Sequence, residues 1–593
     1  MKKIYCGELD NSYIDKEIQL FGWINKIRDH GGVIFIDLRD IKGIAQIVVN
    51  PDNKDLFSLA ESLRNEDILE IVGIPRSRPK GSENLKIKSG KVEVVSNKID
   101  LLSKSKTPPY LLTEEANEDV RLRYRFYDLR TDKMQKNIIM RSKIIKVIRD
   151  FFDNEDFLDI ETPILTKATP EGARDYLVPS RLNKGKFYAL PQSPQIFKQT
   201  LMMSGFNKYY QIARCFRDED LRADRQPEFT QLDIELSFSN SEKIKRCIER
   251  MFSNIFKEVL KIELDTPFKE ITYQESKDKY GTDAPDLRIP LEISNISEIV
   301  KNCSFKVFSE NTTKGKSKVS ALCVPSSLSI TRKDIDSYTD MAVDRGSQGL
   351  AYIKCNNVKD IKEGLQSPIV KFLDDKTINN ILSEVSAKDG DIIFFSAGDN
   401  NLVDSILGSL RELIAKQKNH YTNEWSFVWI KDFPMFEYDD DNKKWKSVHH
   451  PFTQPVYSAV DDITNSPGSL LSDSYDLVLN GVEIGGGSKR INDPEVQKKI
   501  FNVLGLSSEE ANDKFGFFLE AMQYGCPPHG GIAFGIDRIV MMLAGALSIR
   551  DVIAFPKTQS GSCLFTDSPS FIDNQNMKEL GLKSDKKKDE QKT

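Results

Sequence analysis

The chain has 593 residues, which at roughly 150 residues per domain predicts about four domains and excludes a single small binding module. Hydrophobic residues make up 39% and charged residues 29% of the sequence, a balance that indicates sizeable cores and excludes a disordered or fibrous protein. The 84 basic and 89 acidic residues give a net charge of -5, so any nucleic-acid contact must come from a local patch.

The sequence favours a cytoplasmic protein that does not enter a membrane. No stretch approaches the roughly eighteen uninterrupted apolar residues of a membrane span, and the first residues lack the apolar segment of a signal peptide. The 8 cysteines are scattered singly without a CxxC pair, which predicts reduced thiols.

The first hundred residues alternate apolar and polar positions in short runs, which is typical of half-buried strands. Five strands separated by Gly and Asp turns predict a small closed barrel of the oligonucleotide-binding (OB) type. The predicted strands are Ile18–Ile24, Val33–Leu38, Ile44–Val49, Ile68–Ile74 and Val92–Val95.

Two of these strands place unusual side chains on the outer face. Period two puts Phe35 opposite the apolar positions of its strand and Gln46 opposite those of the next strand. A base can stack on a ring while an amide reads its edge, so the pair predicts recognition of single-stranded bases. The stretch 76–91 carries six basic residues and one Glu, which predicts a phosphate-binding stripe. The alternative is a solvated loop beside an incidental surface Phe.

The rest of the chain predicts a linker, a catalytic core and an insertion. Ser103–Pro109 is the predicted linker, and Ile138–Phe152 has the one-sided apolar stripe of a helix. Leu158–Pro163 predicts a short strand at a sheet edge or interface, because its proline cannot donate to a ladder. Residues 285–420 mix strands such as 350–353 and 392–395 with a helix at 402–415, which indicates an inserted domain, and the tail from Lys583 is expected to be frayed.

The charged segment between two alternating runs, Tyr209–Phe216 and Phe229–Leu236, predicts a long loop between antiparallel strands. The second strand places an aromatic ring, an amide and two acids on one face: Phe229, Gln231, Asp233 and Glu235. This is no ordinary core face, and it suits a ligand that has both a ring and an amine. Arg217 could bind phosphate bidentately.

A second strand pair carries two carboxylates. Asn480-Gly481 is a strong hairpin-turn signal and makes Asp476 and Glu483 diagonal neighbours on one face. Two carboxylates so placed repel unless a cation joins them, and Mg²⁺ shared with nucleotide phosphates suits this arrangement. Gly485–Gly487 would let the backbone pass close to a ligand, and Arg490 follows.

The segment Gly525–Arg538 runs from a Gly- and Pro-rich turn into a short strand and an apolar helix. Arg538 would lie in the first turn of that helix, near unpaired backbone amides that favour an anionic triphosphate.

With these motifs the sequence closely resembles the bacterial aspartyl-tRNA synthetases of class II, over nearly the whole chain. The three class motifs correspond to the Pro163 strand, the segment 216–231 and Gly535–Arg538. The resemblance implies an α+β fold: a five-stranded OB barrel, an antiparallel six-stranded sheet flanked by helices, and an inserted α/β domain of the GAD type. The implied domains are an anticodon-binding domain (1–106), a hinge (107–137), a catalytic domain in two parts (138–284 and 421–560), the insertion (285–420) and a C-terminal extension (561–593).

The resemblance also assigns roles. Catalysis would rest on Arg217, Glu219 and Arg538. ATP contacts would come from Arg217, Asp218, Glu219, Gln226, Phe229, Glu483, Gly535, Ile536, Asp537 and Arg538. Aspartate would be bound by Glu171, Gln195, Lys198, Arg217, Asp233, His449 and Arg490, with Arg490 and Lys198 clamping its side-chain carboxylate, while Asp476 and Glu483 would hold Mg²⁺ as cofactor. Anticodon contacts would come from Arg28, His30, Phe35, Gln46, Arg76, Gly81 and Glu93.

The implied function is activation of L-aspartate by ATP and its transfer to tRNA(Asp) by a homodimer. Asparagine would leave Arg490 and Lys198 without an anionic partner, which would discriminate by roughly 10⁴-fold. His449 would close over the substrate when charged, whereas His450 is expected to be structural. His30 beside Gly81 resembles forms that also charge tRNA(Asn), which would require a separate amidotransferase.

Three alternatives stay open on the sequence. A class II relative specific for asparagine or lysine would share the motifs. An enzyme that activates an amino acid without tRNA would lack the barrel. A non-catalytic RNA-binding relative would have lost ligand residues such as Arg217, Glu483 and Arg538, which are all present here.

Overall fold

The computed structural model describes residues 2–112, 114–169, 172–221, 224–313 and 315–583. The chain divides into two compact units. The first contains the N-terminal 138 residues together with Cys563–Ser568, and the second contains the remainder. The eight cysteines are free, five of them buried, in agreement with the predicted reduced thiols. The predicted frayed tail lies almost wholly outside the described residues.

The first unit contains the predicted barrel. All five strands are present, each of them longer than predicted: Ile18–Asp29, Ile34–Asp40, Gly43–Val49, Ile68–Ser77 and Val92–Ser103. The first strand pairs with both the second and the fourth, which closes the barrel. A parallel strand, Lys2–Lys3, adds to it, and an unpredicted helix, Lys54–Ser62, is capped by the Asn53 side chain. Ile34, Ile36 and Leu38 are buried in the barrel core, so Phe35 lies on the other face as predicted.

A helical segment follows the barrel. Its helices are Glu118–Arg123, Arg125–Asp128 and Asp132–Asn154. The last begins six residues before the predicted helix. Its buried positions Ile144, Ile148 and Phe152 recur at intervals of four residues, which is the predicted one-sided stripe.

The second unit is built on an eight-stranded sheet. In spatial order the strands are Lys269–Thr272, Phe427–Lys431, Ser474–Leu479, Val482–Lys489, His529–Gly535, Glu228–Ser237, Lys208–Phe216 and Leu158–Asp159. The six central strands are antiparallel, as predicted, and the two outer ones pair in parallel. The strand predicted over Leu158–Pro163 is at the sheet edge but has only two residues, because pairing stops three residues before the proline.

Helices cover the sheet on the side away from the ligand-facing side chains. Leu232, Ile234 and Phe534 point from the strands into a core that also contains Phe252 and Ile539. The alternate positions of the same strands therefore face the opposite side.

The helices of this part of the unit are Gln195–Met203, Ser241–Ile255, Tyr273–Tyr280, Asp462–Asn465, Pro494–Val503, Ser508–Gln523, Ile536–Leu543 and Asn574–Leu580. Short strand pairs at its surface are Leu177–Pro179 with Phe187–Ala189, Phe436–Asp439 with Lys444–Ser447, and Pro455–Val456 with Leu471–Ser472.

The predicted insertion contains a separate sheet. Its strands in spatial order are Ile293–Asn295, Ser317–Val324, Ile392–Asp399, Ala351–Cys355 and Leu365–Gln366, all antiparallel. The helices are Ser297–Val300, Lys306–Asn311, Arg332–Asp344, Asp375–Glu384 and Asn400–Lys418. Arg411 on the last helix is fully buried and donates to the carbonyls of Leu291 and Ile289, which ties this helix to the chain entering the insertion.

Candidate active site

The ligand-facing side of the large sheet borders a cavity of about 620 Å³. Most residues that the sequence assigned to ATP, aspartate or metal line it: Gln195, Lys198, Arg217, Glu219, Gln226, Phe229, Asp233, His449, Asp476, Glu483, Arg490, Gly535, Asp537 and Arg538. Two assigned residues are not among its lining. Ile536 is buried in the hydrophobic core, and Asp218 instead bonds through its backbone to Arg174. Glu171 lies outside the described residues.

Arg217 and Phe229 meet at one end of the cavity. The Arg217 guanidinium lies 5.0 Å from the centre of the Phe229 ring, and the Arg217 amide donates to Pro227. The ring is therefore held as a flat surface beside a fixed cation, which suits an aromatic base that carries phosphates. Glu219 pairs with Arg225 at 3.3 Å on the same side.

Gln226 uses both ends of its amide within the protein. Its Nε2 donates to the carbonyl of Lys557 at 3.0 Å, and its Oε1 accepts from the amide of Lys557 at 2.7 Å. The side chain is buried. Gln226 thus borders the cavity, while its polar atoms hold the segment around Lys557 in place.

Asp476 and Glu483 converge on the glycine triplet. The predicted turn is present, with Leu479 opposite Val482, and a register shift beside Leu477 places Asp476 opposite Gly486. A Cβ atom at Gly486 would lie 2.6 Å from Asp476 Oδ1 and 3.8 Å from Glu483 Oε1. Both carboxylates therefore border the space that only glycine leaves open. The triplet is part of a strand, so its small size serves close packing rather than a flexible turn.

The carboxylates of Asp476 and Glu483 repel each other. Burial and then the neighbouring Asp476 raise the pKa of Glu483, and Arg538 opposes them in part. Arg538 also donates to the Glu483 carbonyl at 2.5 Å and lies 3.3 Å from Asp224. Two oxygen donors whose charges repel fit a hard divalent cation, which removes the repulsion. Among the described residues, no group of three His, Cys, Asp or Glu side chains has the arrangement of metal ligands.

The other end of the cavity contains four buried charges. Lys198 Nζ lies 3.0 Å from Asp233 Oδ1 and 3.5 Å from Glu235 Oε2. Arg490 donates from Nε and Nη2 to the two oxygens of Glu235 at 2.9 and 3.1 Å. All four side chains are at most 2% exposed. Complete burial raises the pKa of Asp233 despite Lys198, whereas Arg490 and Lys198 outweigh burial and lower the pKa of Glu235.

These pairs correct one expectation from the sequence. Both Arg490 and Lys198 already have carboxylate partners in the protein, so an uncharged substrate would not leave them without an anion. Arg490 also donates from Nη1 to His450 Nε2 at 2.5 Å and to Ser488 Oγ at 2.6 Å. Four of its five N–H groups are therefore used, and one on Nη2 remains for a ligand.

His450 and Glu235 are functional candidates that sequence reasoning did not assign. His450 was expected to be structural, yet it borders the cavity and contacts Arg490. Burial, followed by the charge of Arg490, holds the pKa of His450 well below its ordinary value, so the ring is a neutral acceptor. The sequence did contain a signal for Glu235, because alternation places it on the same face of its strand as Phe229 and Asp233. Those two residues line the cavity, and Glu235 is buried just behind the lining.

Three buried polar atoms in the wall have no hydrogen-bond partner among the described residues: Gln195 Nε2, Asp233 Oδ2 and His449 Nδ1. His449 Nε2 contacts Asp476 Oδ1 at 3.0 Å. Burial opposes charge on this ring, but Asp476 outweighs it and raises the pKa of His449. Unpaired donors and acceptors in a cavity are the groups that a polar ligand can satisfy.

The barrel has its own cavity of about 450 Å³, within the first unit. It is lined by six of the seven assigned anticodon residues: Arg28, His30, Phe35, Gln46, Arg76 and Glu93. Gln46 donates to Glu93 at 2.9 Å and Arg76 pairs with it at 2.8 Å, so the amide and the carboxylate are oriented together. The rings of His30 and Phe35 meet edge to face at 5.8 Å.

Two expectations for the barrel change. Gly81 is not in the cavity lining and lies in a turn at φ +89°. Arg78, expected in the phosphate stripe, is buried, and its Nε donates to the Val92 carbonyl at 3.3 Å. The basic stripe is consequently reduced to exposed residues such as Lys80, Lys86 and Lys88.

In the described part of the chain, no helix is both long and apolar enough to cross a membrane. Residues 117–559 match the class II tRNA synthetases for D, K and N, and residues 18–102 match the OB-fold nucleic acid binding domain. The sequence is 49% identical over 585 residues to an aspartate–tRNA(Asp/Asn) ligase of Legionella pneumophila (strain Corby) and 51% identical over 584 residues to one of Ruthia magnifica. Each alignment covers 98% of this chain and 99% of the relative.

Solved structures share the fold. An asparaginyl-tRNA synthetase from Pyrococcus horikoshii, complexed with asparaginyl-adenylate, has a TM-score of 0.59 at 18% identity and covers 94% of this chain and 98% of its own. An aspartyl tRNA synthetase from Entamoeba histolytica has a TM-score of 0.58 at 20% identity, with 94% and 91% covered. The matches over almost the full length assign the chain to the class II aminoacyl-tRNA synthetases, and within them to the bacterial aspartate–tRNA ligases.

Proposed function

We propose that the large cavity forms aspartyl-adenylate from L-aspartate and ATP with Mg²⁺, and that the enzyme transfers the aspartyl group to tRNA(Asp) and also to tRNA(Asn). The observation that carries the proposal is convergence: Arg217, just after the strand Lys208–Phe216, lines the same cavity as Glu483 and Arg490, which lie at the two ends of the strand Val482–Lys489.

ATP would lie at the Arg217 end. Phe229 provides the surface for adenine, Arg217 the cation for the α-phosphate, and Arg538 the cation for the far end of the triphosphate. Asp476 and Glu483 would hold Mg²⁺, which would neutralise phosphate charge.

Aspartate would lie at the Lys198 end. Asp233 Oδ2, the unpaired oxygen, suits the ammonium group, and the remaining N–H groups of Arg490 and Lys198 suit the side-chain carboxylate. The α-carboxylate then attacks the α-phosphorus in line, and pyrophosphate leaves. No protein nucleophile is needed, so catalysis consists of positioning and of preorganised charge.

Selection of aspartate over asparagine would rest on one carboxylate in a pocket whose charges are already paired. The protein's own set, two cations and two carboxylates, is neutral, so a bound side-chain carboxylate adds a negative charge that the cationic form of His449 would balance. Asparagine adds none.

The tRNA(Asn) activity is proposed from the barrel and from the relatives. His30 lies in the cavity beside Phe35, and the turn at Gly81 carries no side chain. The His30 ring would meet the base that differs between the two anticodons, whereas Gly81 lies outside the cavity lining. The names of the Legionella and Ruthia enzymes include both tRNAs. An amidotransferase would then convert the mischarged product.

We further propose a cytoplasmic homodimer formed around the first class motif. Leu158, Ile164 and Leu165 are each about half exposed at the edge of the large sheet, which a second copy would cover.

The test is to charge purified tRNA(Asp) and tRNA(Asn) side by side with aspartate and ATP. The proposal predicts aspartylation of both. Charging of tRNA(Asp) alone would remove the dual-tRNA claim, and charging of neither would remove the function.

A further inference from the structure

Arg141, on the helix Asp132–Asn154, connects the second and third class motifs. Its Nη1 donates to Asp537 Oδ1 at 2.5 Å and to the Val552 carbonyl at 3.2 Å, and its Nη2 donates to Thr230 Oγ1 at 3.1 Å. Asp537 Oδ2 accepts from the Thr230 amide at 2.9 Å. One arginine thus joins two residues that also bond directly to each other, which closes a ring of hydrogen bonds.

Thr230 and Asp537 are the immediate neighbours of Phe229 and Arg538. Phe229 and Thr230 lie on the strand Glu228–Ser237. Asp537 and Arg538 lie in the first turn of the helix Ile536–Leu543. Both oxygens of Asp537 are used within this ring, and its side chain is only 5% exposed. Asp537 was expected to contact ATP, but its carboxylate is better placed to fix the two segments that do.

The ring extends to the end of the motif 2 loop. Arg214 donates from Nη1 to Thr230 Oγ1 at 3.1 Å and from Nη2 to Glu228 Oε2 at 2.7 Å. Lys557 Nζ donates to Glu228 Oε1 at 2.5 Å, and its backbone is held by Gln226. Gln226, Glu228 and Thr230 therefore each take part in side-chain hydrogen bonds. The residues between them, including Phe229, are flanked on both sides by residues held in this way.

We propose that Arg141 is a positioning residue for ATP: through Thr230 and Asp537 it fixes the distance between the ring of Phe229 and the guanidinium of Arg538. The inference rests on the proposed function, since it assigns these two side chains to the two ends of one nucleotide. Arg141 bonds through its fork to three acceptors at once, on Asp537, Val552 and Thr230, and a lysine could reproduce the charge without that geometry. Small displacements of binding groups cost large factors in rate, about 10²-fold for 1 Å.

The test measures the KM for ATP and the KM for aspartate in aspartate-dependent ATP–pyrophosphate exchange by the full chain. For Arg141→Met we expect the KM for ATP to rise about 10-fold or more, with the KM for aspartate changed less than about 2-fold, because Lys198 and Arg490 do not contact the ring. Arg141→Lys should recover part of the loss. Thr230→Val removes only the hydroxyl acceptor and should give a smaller rise in the same direction.

Lys146→Met is the matched control. Lys146 lies on the same helix and pairs at the surface with Asp150. Its two KM values should equal those of the wild type. Equal rises in both KM values for Arg141→Met, or no rise, would overturn the inference. If that variant does not fold, Arg141→Lys and Thr230→Val decide by the same ratio of KM values. Absence of exchange in the wild type would contradict the proposed function instead.

Discussion

Glu235 and Arg490 form a buried ion pair that is joined at two points, Nε to Oε1 at 2.9 Å and Nη2 to Oε2 at 3.1 Å. Glu235 occupies one edge of the Arg490 guanidinium, so that edge cannot bind a ligand. The pair also holds the remaining N–H of Arg490 in a fixed direction. Lys198, at 3.5 Å from Glu235 and 3.0 Å from Asp233, extends the pair into a four-charge set.

Breaking this pair should be costly. We expect Glu235→Gln to lower the free energy of unfolding by about 3–5 kcal/mol, because the buried cation loses its partner. The KM for aspartate should rise as well, since Arg490 is no longer oriented. Denaturant unfolding and exchange kinetics measure the two effects. The control is Glu495→Gln, which removes the ion pair between Glu495 and Lys498, two largely exposed side chains. It should change the free energy of unfolding by less than about 1 kcal/mol. Equal effects of the two variants would refute the role assigned to Glu235.

Phe229 should matter for ATP and not for aspartate. Phe229→Leu keeps an apolar side chain but removes the ring, so the KM for ATP should rise about 10-fold while the KM for aspartate stays unchanged. Phe517→Leu, at a half-exposed ring outside the cavity lining, is the control. An unchanged KM for ATP in Phe229→Leu would mean that adenine does not stack there.

The carboxylates of Asp476 and Glu483, beside Gly486, should determine the Mg²⁺ concentration that the enzyme requires. We expect chelation by EDTA to abolish exchange and added Mg²⁺ to restore it. Glu483→Gln should need a higher Mg²⁺ concentration for half-maximal exchange, because one of two oxygen ligands loses its charge. Titration of Mn²⁺ binding by electron paramagnetic resonance provides a readout independent of activity. Identical Mn²⁺ affinity in wild type and Glu483→Gln would exclude this residue as a ligand.

His450 should make the protein less stable in mild acid. Its pKa is held below the ordinary value by burial and by Arg490, so the unfolded chain binds a proton more readily than the folded one. Stability is thus fully present above about pH 6.5 and falls as the pH drops below that value toward the folded pKa. His450→Gln, which keeps an acceptor but does not titrate, should flatten this slope in denaturant unfolding. The same slope in the wild type and in His450→Gln would contradict the neutral-acceptor role.

The sequence predicted what alternation and turns encode. Period two located the barrel strands and the outward positions of Phe35 and Gln46, and Asn480-Gly481 located the hairpin that carries Glu483. The partners of the buried charges could not be predicted in this way, because they are far apart in the sequence. Arg490 and Glu235 are separated by 255 positions of the chain. The same holds for Arg141 and Asp537, which are 396 positions apart.

Other differences have local causes. The edge strand is short because pairing ends before Pro163, and Arg78 leaves the basic stripe because its side chain is buried, with its Nε on a backbone carbonyl. The long sheet also gains a parallel edge strand, Lys269–Thr272, which at four residues is too short for a periodic signal. The glycine triplet could be read as a turn, since glycine marks both turns and close strand packing.

The central claim is that one cavity joins a nucleotide site to a site for an acidic side chain. Its most direct test is ATP–pyrophosphate exchange by the purified protein with L-aspartate and with L-asparagine at equal concentration. The account predicts rapid exchange with aspartate and exchange near background with asparagine. Exchange with asparagine at a comparable rate, or none with aspartate, would contradict it.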